Sequence, residues 1–199
     1  MSKSNSAGTL FVLSAPSGTG KTTVATMLLP MVENLHRTIS HTTRKMRAGE
    51  TNGVDYHFVT EERFQEMITA GEFVEWAQIF GNHYGTSTRE IESSLAAGQD
   101  LLLVIDVQGA ASVKRMPSLH SVSIFLLPPS IEELERRLVG RGLDSREAIQ
   151  VRLDAAKGEL KHKDEFDHQV MNDNLTQAVE AVREIVLAHR ARRPGPTAQ

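Results

Sequence analysis

The chain has 199 residues, with 22 Lys and Arg against 25 Asp and Glu, a formal charge of −3 and no cysteine. That length suits one domain with an ordinary core, and the mildly acidic balance argues against general nucleic-acid or membrane-surface binding, both of which favour strongly basic faces. Without cysteine there are no disulfides, thiolate metal sites or cysteine nucleophiles, and a reducing cytosol is compatible.

The polar N-terminus, MSKSNSAG, precedes an apolar run too brief for a signal sequence, and no later stretch reaches the about 20 apolar residues of a membrane span. A cytoplasmic location and no membrane partner are expected. TLFVLS (9–14) reads as a buried strand that stops at a Pro-Ser-Gly loop. Val24, Met27, Leu28 and Met31 keep helical spacing from Lys21 to about Val32, with Pro30 ending or bending the helix. LHRTIS (35–40) is a second strand.

Residues 41–86 break this rhythm, with more Gly, Thr and aromatic side chains. YHFV and EFVEWAQIF read as strands, and TEERFQEMITAG (60–71) between them as a capped helix that stops at glycine. This is a candidate inserted subdomain. The rhythm resumes with a serine-capped helix (87–98), a continuous apolar strand DLLLVIDVQG (100–109), a strand at 121–129, helices at 130–142 and about 145–163, a strand at 167–172 and a helix at 174–192. Alternating strands and helices imply an α/β fold with a parallel sheet wrapped in helices. The ends, 1–7 and 191–199, are expected to fray.

The first strand feeds APSGTGKTT (15–23), which opens a helix. This fits G-x-x-x-x-G-K-[ST], with Ala15 in place of the first glycine and Pro16, Ser17, Gly18, Thr19 and Gly20 between it and Lys21. Glycines let backbone N–H groups turn inward around a phosphate chain, and the helix N-terminus adds partial positive charge. Lys21 can reach the transferred phosphate and the Thr22 hydroxyl can ligate Mg²⁺, with Thr23 beside it. The pattern points to a nucleoside triphosphate and leaves the acceptor open.

SHTTRKMRAGETNGVDYHF (40–58) gathers Arg44, Lys45 and Arg47 among hydroxyls and aromatics. It resembles the guanylate kinase signature S-x-T-T-R-x-x-R-x-G-E-x-x-G-x-x-Y-x-F, matched at Ser40, Thr42, Thr43, Arg44, Arg47, Gly49, Glu50, Gly53, Tyr56 and Phe58. The resemblance extends over about 8–190, through FGNHYGTS, IDVQGA and RLVGRG. It implies a P-loop kinase three-layer fold with an inserted GMP-binding subdomain (about 41–86), a core from 8–40 and 87–190, and a helical lid (about 137–152). It also implies phosphoryl transfer from ATP to GMP, with Mg²⁺ as cofactor and dGMP as a further acceptor.

On this resemblance Arg44, Arg47, Tyr56 and Tyr84 hold the GMP phosphate, which suits planar guanidinium forks facing a dianion. Glu75 and Asp106 would accept from the N1–H and exocyclic amine of guanine, completed by Ser40 and Thr86. Read alone, Glu75 is a surface strand residue and Asp106 a strand-end cap, and the Arg cluster a charged loop paired with Glu50 or Asp55. Arg137, Arg141 and Arg152 fall in a segment with two glycines, and the resemblance aims them at the triphosphate and the transferred group. Asn172, in MNDN, would lie on the adenine side, although Asn also makes a good helix cap. Val104 departs from the acidic residue that many relatives carry, which bears on how Mg²⁺ is held. The eight histidines are dispersed, with no H-E-x-x-H, so no zinc site is expected. A homo-oligomer is compatible with the sequence, and no nucleic-acid partner is expected.

Two other readings differ in class. A catalytically silent guanylate-kinase-like binding module would lose the P-loop lysine or the phosphate arginines, and Lys21, Arg44 and Arg47 are present. A P-loop kinase for another phosphoester is disfavoured by Glu75 and Asp106, if both face the base.

Overall fold

A computed structural model describes residues 7–79, 81–116, 118–140 and 145–193. Five parallel strands form the main sheet: β1 (Leu10–Ser14), β2 (Leu35–Arg37), β7 (Asp100–Val104), β8 (Ser121–Leu127) and β9 (His168–Met171), in the order β2-β7-β1-β8-β9. β1 is buried along its whole length. Its alternate residues serve opposite faces, as strand geometry requires. Phe11 and Leu13 join Leu102, Ile124 and Leu126 beneath α1 (Lys21–Leu28) and α7 (Leu175–Ala191). Leu10 and Val12 join Leu101 and Leu103 beneath α3 (Thr88–Ala96) and α4 (Val107–Lys114). The result is three layers, helix–sheet–helix.

A second sheet holds β3 (His41–Thr42), β4 (His57–Phe58), β5 (Phe73–Ile79) and β6 (Asn82–Ser87), in the order β4-β3-β6-β5. Only its β3–β4 pair is parallel. The helix α2 (Glu61–Thr69) covers it through Phe64 and Met67, which pack on Phe73. Thr60 caps α2 by accepting from the Arg63 N–H, and Glu61 and Glu62 stand in the first turn, where negative charge is favoured. Val74 of β5 belongs to the α3–α4 core rather than to the small sheet's own cluster, so one strand is packed into both units. The last pair, α5 (Ile131–Gly140) and α6 (Arg146–Leu160), packs through Leu134, Leu138, Ile149 and Leu153.

The structure departs from the sequence pattern at definite points. The apolar run 100–109 is not one strand: β7 stops at Val104, and Asp106 caps α4 by accepting from the Gly109 N–H at 2.8 Å. Hydrophobicity continues across that boundary because α4 packs Val107, Ala110 and Val113 inward. Asn82–Ser87, given no regular structure from sequence, is a strand that pairs with both β3 and β5. Ser87 sits at the N-cap of α3 but its side chain makes no capping bond. The helix begun at Lys21 passes into a 3₁₀ turn at Leu29–Met31, with Pro30 inside it.

The last described turn is anchored: α7 continues to Ala191, and Arg190 and Arg193 both pair with Asp100, whose side chain is 1% exposed. Asp100 also accepts from the Thr9 N–H at 2.7 Å, so one carboxylate joins the starts of β1 and β7 to the end of α7. Removing one partner of such a buried pair leaves the others uncompensated. Asp100→Asn is expected to cost about 3 kcal/mol, the low end for buried pairs because both arginines keep some contact with water. Urea unfolding, read as a shift of midpoint at unchanged slope, measures it.

Candidate active site

The site forms at the carboxyl ends of β1 and β7, where open parallel sheets place their ligands. After β1 the chain wraps around a cleft of about 280 Å³ lined by Ala15, Pro16, Ser17, Gly18, Gly20, Lys21, Thr22 and Thr23, with Asp106 and Glu159 on its other side. Gly18 and Gly20 have φ of +90° and +100°, in the left-handed region that disfavours side chains. Neighbours make the same demand, since a Cβ on Gly18 would lie 2.9 Å from Leu138 and one on Gly20 2.8 Å from the Asn172 amide nitrogen. Gly20 caps α1 with no side-chain bond, so the first-turn amides are left for a ligand in the cleft.

Lys21 donates from Nζ to the Ile105 carbonyl, at 2.7 Å, just past the end of β7. Burial pushes its ammonium below the usual lysine range, while Asp106, Glu159 and Glu75 pull it back. Four groups from four elements therefore share one field. Glu75, on β5, is raised above the usual carboxylate range chiefly by burial, with Asp106 adding to the shift and Thr86 and Lys21 opposing it. Thr86 donates to Glu75 Oε1 at 2.7 Å, which commits its proton. Ser40, 3.2 Å away, must then be the donor to Thr86. Ser40, Thr86 and Glu75 thus form one oriented chain, with Glu75 Oε2 left as an acceptor.

Arg44 lies in the loop after β3. Its guanidinium donates to both Glu50 oxygens, at 2.7 and 3.0 Å, and sits 5.4 Å from the Tyr56 ring centre and 5.6 Å from that of Phe58. The Glu50 contact raises the arginine further above its ordinary range, with Tyr84 contributing, and Glu50 is lowered by Arg44 first and then by the Arg47 N–H. Tyr56 and Tyr84 meet edge to face at 5.9 Å. Arg44, Tyr56 and Tyr84 are therefore together, whereas the Arg47 side chain is exposed. Asp55 serves the loop backbone by accepting from the Thr51 N–H.

The remaining predicted residues divide. Arg152 reaches Ser17 Oγ at 3.4 Å, beside the phosphate loop. Arg137 is turned onto Glu133 and the Asn172 carbonyl, at 3.0 Å each. Arg136 pairs with Glu133 on the helix surface. Arg141 lies outside the described residues. Asn172 is 3% exposed and donates from its amide to the Thr19 carbonyl at 2.6 Å, so in this structure it braces the phosphate loop instead of presenting that amide to an adenine. Val104 packs against the α1–α7 core.

Glu159 was missed by sequence reasoning. It is raised by burial, against the pull of Lys21 and the Ser17 N–H, and its Oε2 is buried with no hydrogen-bond partner. The available signal was its spacing: Glu159 stands seven residues after Arg152, on the same face of α6.

A glycine-bent phosphate loop between the central strand and a helix, with a lysine and acidic partners at the strand ends, defines a P-loop phosphotransferase class of protein. The sequence model described as guanylate kinase matches residues 7–189. The chain is 50% identical over 182 residues to a guanylate kinase of Dechloromonas aromatica, covering 92% of this chain and 90% of that protein. It is 50% identical over 187 residues to one of Neisseria meningitidis serogroup A, covering 94% and 90%. The crystal structure of guanylate kinase from Anaplasma phagocytophilum superposes with a TM-score of 0.73 at 38% identity, covering 94% of this chain and 89% of that one. The chain belongs to the guanylate kinase family.

Burial of Glu75 couples its proton to the stability of the fold. A carboxylate whose folded pKa is raised binds its proton more tightly when folded, so its contribution to stability is present at low pH and is lost as pH rises from the ordinary carboxylate range to the raised value. Glu75→Gln, which can still accept from Thr86, is therefore expected to unfold at a higher temperature than the unaltered chain at pH 7. The advantage should shrink as pH falls toward 4, as thermal unfolding at several pH values can measure.

Proposed function

We propose that this protein transfers the γ-phosphoryl group of ATP to GMP, giving ADP and GDP, with dGMP as a further acceptor. The observation that carries this reading is the oriented chain Ser40–Thr86–Glu75 in the same electrostatic field as the phosphate-loop lysine. A polar edge built from acceptors suits guanine, whose N1–H and exocyclic amine both donate. Adenine would set its N1 acceptor against a carboxylate, and leaving buried polar groups unmatched can cost a factor of about 10⁴ in discrimination.

In this reading Arg44, Arg47, Tyr56 and Tyr84 grip the acceptor phosphate, and Glu75 and Asp106 read the base with Ser40 and Thr86. Glu50 orients the Arg44 fork and the aromatic rings hold it from the sides. The loop 15–23 wraps the phosphates of ATP, with Lys21 at the transferred group. An oxygen of the GMP phosphate attacks the γ-phosphorus as the bond to ADP breaks, with no covalent enzyme intermediate. Protein groups need only align the two anions and stabilise spreading charge. Arg152, beside Ser17, and Arg137 and Arg141 on the segment 137–152 supply positive charge and exclude water as that segment closes.

Mg²⁺ fits the residues present. The cleft offers only oxygen donors to a hard cation: the Thr22 hydroxyl, with Asp106 and Glu159 across from it, the latter keeping a buried oxygen unpartnered. Thr22 would hold the ion, and Asp106 and Glu159 supply the negative charge that Val104 does not. When bound, the ion neutralises phosphate charge. Residues 41–86 serve as the GMP-binding unit, inserted into a core of 8–40 and 87–190. No helix among the described residues is long and apolar enough to cross a membrane, and cytoplasmic action on small-molecule substrates accords with the sequence.

The test is ADP formation from Mg·ATP with GMP, AMP, CMP or UMP as acceptor. Rapid turnover with GMP alone is expected, and equal turnover with AMP would overturn the assignment. Arg47→Ala removes a charged contact worth about 1.5–3 kcal/mol and should raise the KM for GMP by about 10- to 150-fold, leaving that for ATP nearly unchanged. No turnover with any acceptor, while GMP still binds, would favour the silent binding module.

A further inference from the structure

The histidines are scattered along the sequence, yet folding gathers three metal-ligating side chains at one place. His41 of β3, His57 of β4 and Glu90 of α3 offer one ligand atom each within 4.8 Å of one another, and they are the group of three or more that meets this condition among the described residues. His41 and His57 are direct partners across the parallel β3–β4 pair, and their rings stack at 4.6 Å with 29° between planes. His57 Nε2 is 2.7 Å from Glu90 Oε1. His41 Nδ1 is buried and has no hydrogen-bond partner.

We propose that His41, His57 and Glu90 form a binding site for a divalent transition metal of the zinc class, at the seam between the small sheet and α3. Two imidazoles and one carboxylate are a ligand set that zinc accepts in three-residue sites, with water in the fourth position. Bonds of about 2.0–2.2 Å in tetrahedral array place ligand atoms about 3.3–3.5 Å apart. The His57–Glu90 contact has to open by less than 1 Å, roughly, and the wider separations to close by about 1.5 Å at most, within reach of side-chain rotation. The side chains of His57 and Glu90 are 30% and 41% exposed and line a cavity of about 600 Å³, which provides both an entry path and room for the water.

The chemistry distinguishes this site from the phosphate cleft. Imidazole nitrogens suit zinc, copper and nickel, whereas Mg²⁺ prefers oxygen donors, so the two places select different ions. Burial, with His57 beside it, pushes His41 down to about 4, which leaves a neutral ring with a lone pair at pH 7. Among the described residues, the histidine–carboxylate contacts of His83 with Glu61 and of His162 with Glu165 are pairs with no third ligand in reach. The proposed site also adjoins the acceptor side, because His41 follows Ser40 and His57 follows Tyr56. A bound ion would fasten β3 and β4 to α3 and stiffen the strands that Ser40 and Tyr56 lead into.

The experiment uses the full chain, stripped with chelator and kept free of nucleotide, whose phosphates would compete for metal. Zn²⁺ is titrated by calorimetry and Co²⁺ by its visible absorption, for the unaltered protein and for His57→Gln, Glu90→Gln and His162→Gln. Expected are one tight equivalent of Zn²⁺ in the unaltered protein and His162→Gln, a loss of at least about tenfold in affinity in each of the other two, and no competition from Mg²⁺. A thermal melt in chelator checks that each variant is folded, and the two independent ligand variants keep the result readable if one is not. Absence of a tight equivalent, or equal affinity in all four proteins, overturns the proposal.

Discussion

A half-buried ammonium organises this molecule. Lys21 stands at the start of α1, on the wall of the phosphate cleft, where partial loss of water makes a cation depend on partners. The fold supplies them from separate parts of the chain: the Ile105 carbonyl and Asp106 at the end of β7, Glu159 from α6 and Glu75 from the small sheet. Ile105 and Asp106 lie where they do because β7 ends just before them. β7 must stop at Val104 so that Ile105 can offer its carbonyl and Asp106 can cap α4, and α6 must lie against the phosphate loop to bring Glu159 in. The lysine is thus the point at which sheet, helices and small sheet answer to one electrostatic demand.

Packing enforces the same convergence. α5 presses Leu134 and Leu138 against Gly18, and Asn172 reaches across from the end of β9 to the Thr19 carbonyl beside Gly20. The loop is therefore held by an apolar contact on one side and a buried hydrogen bond on the other, which fixes its amides before any phosphate arrives. Such preorganisation is where phosphoryl-transfer catalysis gains most, since the protein contributes position and charge and little covalent chemistry. On the acceptor side, Val74 packs into the main core while its neighbour Glu75 meets the Thr86 hydroxyl and the charge of Lys21. The alternation of a strand thus converts one anchoring residue into the correct placement of the next.

Much of this was legible in the residues. Strand–helix alternation announced the parallel sheet, the glycine-lysine-threonine run announced the phosphate cradle, and the spacing of Ser40, Arg44, Arg47 and Tyr56 carried the family resemblance. What was hidden had physical causes. The end of β7 was masked because α4 buries the same apolar residue types as the strand before it. β6 was hidden because Asn, His, Gly and Thr show no hydrophobic alternation, its stability coming from pairing on both sides. Asn172 fell among cap-forming residues and only the fold reveals that its amide reaches the loop. Glu159 and the His41–His57–Glu90 cluster depend on contacts between distant segments, which periodicity does not encode.

On the proposed function, one cleft holds two phosphate chains end to end while its acceptor half reads guanine. A single molecule joining adenosine and guanosine through five phosphates tests this most directly, by calorimetry against the analogue that carries adenosine at both ends. The adenosine–guanosine compound is expected to bind one per chain, far more tightly than ATP or GMP alone, and the bis-adenosine compound no better than ATP. Equal affinity for the two linked compounds would contradict guanine recognition, and affinity no greater than that of ATP would show that the two halves of the cleft do not meet.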